Sequence, residues 1–118
     1  MSITPKDRDR LNQLEMLSAK VRHAHSLIEQ FAASPKAAEQ LSSNIRRTFA
    51  QLKIQFTTAG FDRLAQMTSG LEMTARRGMS HAPKTRALRD GLGTLSRQID
   101  LERRAVMTAA HRDSEKQD

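Results

Sequence analysis

Eight basic side chains hold most of the chemistry this chain can offer: Lys36, Arg46, Arg47, Arg76, Arg77, Lys84, Arg86 and Arg89. Few acids stand near them. Residues 40–71 carry four Lys/Arg against one Asp/Glu and residues 72–97 carry six against two, while 1–39 stand at six to five and 98–118 at four to five. The net charge of +7 therefore belongs to the middle of the chain. Fourteen of the twenty basic residues are arginine, whose planar fork matches carboxylate and phosphate groups. The chemistry this pattern offers is capture of an anionic partner. The plainer reading is a solvated, solubilising face.

Other candidates fail on spacing. His23 and His25 lie two apart, so on a helix they point in widely different directions and do not share a metal. The four histidines are dispersed, and no Glu-x-x-His pair exists for a carboxylate-bridged centre. The stretch Ala24-His25-Ser26-Leu27 loosely resembles the histidine-bearing helix of histidine phosphotransfer domains. That family places a lysine three residues after its histidine and then a glycine; here those positions hold Ile28 and Glu29. His25 then reads as an edge residue of an apolar stripe. Met16, Met67, Met73, Met79 and Met107 form no metal-binding box. Gly91-Leu92-Gly93 follows no strand and is no nucleotide loop; its glycines suit close packing or a kink. There is no cysteine and no nucleophile–base arrangement. The expectation is a non-enzyme with no cofactor and no metal.

Nucleic-acid recognition lacks its usual equipment. No helix-turn-helix, zinc-finger or RNA-binding signature occurs, and the spacing of the four phenylalanines puts at least three in the core. Stacking on an aromatic platform is then not expected, and any nucleic-acid contact is expected to run mainly through phosphates.

The elements that position the basic residues are read from periodicity. Thr4-Pro5 with Asp7 is a helix start. Leu14, Leu17, Val21, Ala24, Ile28 and Phe31 then form a heptad seam, widened by Leu11, His25 and Ala32. Ser34-Pro35 restarts the pattern, and Leu41, Ile45, Phe49, Leu52 and Phe56 follow on one face. Thr57-Thr58-Ala59-Gly60 ends it. Phe61, Leu64, Met67 or Thr68, Leu71 and Ala75 make a third stripe, in which Gly70 suggests a close helix–helix contact. Ser80-His81-Ala82-Pro83 opens the last helix, with Leu88, Leu92, Leu95, Ile99, Val106 and Ala109 on its seam and Glu102 among them. Ile54, Leu101, Met16 and Met73 fall off the stripes.

This predicts an all-α, antiparallel four-helix bundle in one domain, 1–118. The helices are expected at about 5–33, 35–59, 61–79 and 83–111, with a disordered tail at 112–118. The alternative is three helices with a long central helix over 35–80, paired in a dimer. Short connections make neighbouring helices antiparallel, so the 34–36 and 80–84 connections share one end, and the eight basic residues gather there. The expected role is a small cytoplasmic interaction protein, an adaptor, regulator or chaperone-like module. It would act by helix packing and bind an acidic protein partner through the basic end. A homodimer is expected from the modest core. The alternative is a nucleic-acid-associated protein using the same end on phosphates. No apolar run approaches the ~20 residues of a membrane span. The opening MSITPKDRDR lacks an apolar core for a signal peptide.

Overall fold

Thr4 starts the first helix as its chemistry dictates. Its hydroxyl accepts the Asp7 amide at 3.2 Å, and Pro5 takes the first helical position, where no backbone N–H is needed. In the computed structural model, which describes residues 4–116 (side chains only as far as Ala110), four helices follow. They are α1 (Pro5–Ala33), α2 (Ala38–Thr58), α3 (Asp62–Arg76) and α4 (His81–Lys116). α1 packs on α2 and α4, and α3 packs on α2 and α4, closing a ring in chain order. The result is an antiparallel four-helix bundle, a rod of 61 × 21 × 18 Å. No described helix is long and apolar enough to cross a membrane.

The seams face inward. Leu14, Leu17, Val21, Ala24, Leu27, Ile28 and Phe31 of α1 are buried, as are Ile45, Phe49, Leu52 and Phe56 of α2. Leu64, Thr68, Leu71 and Ala75 of α3 meet Leu88, Leu92, Leu95 and Ile99 of α4 in the same core. All four phenylalanines are buried. Thr68 takes the seam and Met67 only its edge; the Thr68 hydroxyl is satisfied by donating to the Leu64 carbonyl at 2.7 Å. At the far end of α4 the turn shifts by one residue, so Ala110 is buried and Ala109 is exposed. Glu102 stays partly exposed, where its carboxylate accepts from Gln98 at 3.4 Å.

Gly60 excludes the long central helix. Its φ of +84° ends α2 in the left-handed region. The Gly60 amide donates to Thr57 and the Phe61 amide to Phe56, at 3.1 and 2.9 Å. That pair is the Schellman closure, which satisfies orphan carbonyls of the last turn and buries Phe61 beyond it. Other boundaries depart from expectation. Pro35–Ala37 is a 3-10 turn preceding α2, and Ser34 closes it with its carbonyl, not its side chain. α4 starts at His81, so Pro83 is its third residue, still within the first turn, where its missing N–H costs nothing. α4 continues to Lys116, past the expected end at 111, and residues 117–118 of the expected tail lie outside the described residues.

The close helix–helix contact falls at Gly91, not Gly70. A Cβ on Gly91 would collide with Leu71 Cδ2, whereas one on Gly70 would meet nothing within 4 Å. Gly70→Ala is therefore expected to stabilise the fold by roughly 0.5–1 kcal/mol, the helix-interior cost of glycine. Gly60→Ala is expected to destabilise it by about 1–2 kcal/mol through left-handed strain. Urea midpoints of the two variants should move in opposite directions.

Candidate anion-binding site

The basic end is built where α1 and α3 finish and α2 and α4 begin. Helices that finish there leave carbonyls without amide partners. The Ser42 hydroxyl donates to the Ala75 carbonyl of α3 at 3.1 Å, and His81 Nε2 donates to the Ala32 carbonyl of α1 at 3.3 Å. The His81 ring stacks on Phe31, centroids 4.4 Å apart. Its Nδ1 is buried with no partner.

Lys84 is the unusual member. It is 8% exposed, and its ammonium donates to Ser42 Oγ at 2.9 Å and lies 5.8 Å over the Phe31 ring. Among the described residues no carboxylate stands within ion-pair distance of it. Burial first, and then the nearby Arg46 guanidinium, hold its pKa below the ordinary lysine value. The folded protein thus binds this proton less readily than the unfolded chain does. The penalty is fully present below the lowered pKa and disappears as the pH rises through the ordinary lysine range. Relative to Lys84→Met, the native protein should gain stability as the pH rises from the lowered value toward the ordinary lysine range. Denaturant midpoints measured across that range should show the native protein rising against the variant; parallel curves would contradict this.

Around Lys84 opens a cleft of about 470 Å³. Arg46, Arg76, Arg77 and Lys84 line it, together with Phe31, Glu39, Ser42, Met79 and His81. Half of the eight expected basic residues therefore converge. The other half do not. Arg86 and Arg89 line a separate cleft of about 430 Å³ beside Asp90, which shares only His81 with the first. Lys36 and Arg47 are exposed and line neither.

Two of the arginines are already paired. Arg76 reaches Glu72 at 2.6 Å, one turn back on α3. Arg89 grips Glu29 of α1 with two bonds of 2.7 and 2.6 Å. Hydrogen bonding to Arg89 lowers the Glu29 pKa, so the pair adds stability above the ordinary glutamate range and loses it as the pH falls through the lowered value. The pair is exposed, and such pairs contribute little. Arg46 and Arg77 have no ion pair among the described residues.

Sequence reading missed Ser42, His81 and Phe31 as parts of the site. The signal was present in the topology, since the shared end of the 34–36 and 80–84 connections brings Phe31 to His81. His25 is exposed on α1 and faces Glu29 at 3.7 Å, outside this site. No group of three or more His, Asp or Glu side chains suited to a metal occurs among the described residues. No protein family matches the chain, and neither does a curated protein or a solved structure.

Proposed function

We propose that the protein is a non-enzymatic interaction module whose basic cleft receives an acidic group of a protein partner. The observation that carries this reading is Lys84, a largely buried lysine beside Arg46 with no carboxylate within ion-pair distance among the described residues. A buried charge without a counter-charge is costly, and an incoming anion offsets that cost. A protein partner is favoured over duplex nucleic acid by shape. The converging cations lie within a cleft at one end of the rod, not along a stripe that could track a phosphate backbone. The buried phenylalanines offer no platform for bases.

Poly-glutamate and a short duplex of arbitrary sequence are the discriminating probes. At physiological salt the acidic polypeptide should bind, and Arg46→Ala/Arg77→Ala should weaken it, chiefly by slowing association. Duplex binding should be negligible. Duplex binding with a log–log salt slope near −0.9 per phosphate, and none to poly-glutamate, would assign the end to nucleic acid instead. Self-association is the second part of the proposal. Ile54 at 65% and Leu101 at 54% exposure support it, and sedimentation equilibrium at micromolar concentration should give the dimer mass. A monomer with a concentration-independent melting midpoint would overturn it.

A further inference from the structure

We infer that the group the cleft takes is a phosphate monoester, the dianion of a phosphorylated side chain on the partner, held by Lys84, Arg46 and Arg77. This rests on the proposed acidic-partner reading and narrows it. Charge balance decides the class. Arg76 is neutralised by Glu72. That leaves Lys84, Arg46 and Arg77 against Glu39, three positive charges and one negative, a surplus of two. One carboxylate carries a single negative charge and leaves half of the surplus unmatched. So does the diester phosphate of a nucleic-acid backbone. A phosphorylated serine or threonine carries about −1.5 to −2 at neutral pH and matches it.

Donor supply agrees with that balance. A lysine ammonium has three N–H groups, and Lys84 donates one to Ser42. The Arg46 and Arg77 guanidiniums make no side-chain hydrogen bond among the described residues. Each can offer two parallel N–H groups to phosphate oxygens. The Ser42 hydroxyl already donates to Ala75 and accepts from Lys84, so it holds the ammonium in place and leaves the oxyanion to the cations. Phe31 walls the site with apolar surface, and lower local polarity strengthens charge-assisted hydrogen bonds.

The test is a titration of the full chain at constant ionic strength, followed by amide chemical shifts. The probes are N-acetyl-phosphoserine amide, inorganic phosphate, N-acetyl-glutamate amide and dimethyl phosphate. Phosphoserine should shift the Ser42 and Lys84 amides saturably and bind roughly tenfold or more tighter than the glutamate or the diester. Its affinity should rise between about pH 5 and pH 7, as the second phosphate proton is lost near pH 6. Arg46→Gln and Arg77→Gln, both at exposed positions that the fold does not depend on, should each weaken it several-fold, and Arg47→Gln should not. Equal binding by the capped glutamate would overturn the phosphate assignment and leave the acidic-partner reading standing. Binding by inorganic phosphate with none by phosphoserine would overturn the side-chain assignment in favour of a free-phosphate site. Silence from all four probes would overturn the inference, while the poly-glutamate result separately decides the reading beneath it.

Discussion

Leu95→Ala should cost this bundle about 2–5 kcal/mol, the range for truncating a fully buried leucine. Leu95 is 0% exposed at the middle of α4, one turn from Leu92 and Ile99, which are also buried. α4 lies against both α1 and α3, so the cavity opens where three helices meet and none can collapse into it freely. A domain of this size has a total stability of roughly 5–15 kcal/mol, so the variant loses a large share of it. Urea unfolding followed by circular dichroism measures the change. A shift within about ±0.5 kcal/mol, as at exposed sites, would mean that α4 presents a different face to the core.

Phe31→Ala should be as severe, about 3–5 kcal/mol, and should also damage the site. Phe31 is 2% exposed. One region of the side chain closes the core at the end of α1; its ring also supports the His81 ring and lies beneath the Lys84 ammonium. Truncation removes the wall that withdraws Lys84 from water. Phe31→Leu separates the two effects: it should retain most of the stability yet bring the Lys84 pKa back toward the ordinary lysine value, because the wall is smaller. Side-chain nitrogen shifts of Lys84 followed across alkaline pH report that movement. A Lys84 titration identical in Phe31→Leu and the native protein would show that Phe31 serves the core alone.

The helices were legible because apolar residues recur every three or four positions and because each break carries its own chemistry. Thr4-Pro5 and Gly60 placed two boundaries closely. The starts of α2 and α4 were harder, since proline fits any place in a first turn, and Pro35 and Pro83 use different ones. The roles of Gly70 and Gly91 could not be told from sequence. Both lie within helices, and only the approach of Leu71 shows which one a neighbour crowds. At the basic end, counting charges found the right region but not the site. Which cations stay free depends on contacts far apart in sequence, such as Glu29 with Arg89, and on Lys84 turning inward to Ser42 while Arg86, two residues on, turns out.

On the proposed function, an acidic partner seats in the cleft around Lys84. Backbone amide shifts of the full chain during titration with poly-glutamate test it most directly. The changes should gather on Ser42, Arg46 and the 76–84 segment and leave the Gly60 end still. Changes centred on Gly60, or spread evenly along the outer faces of the rod, would contradict it.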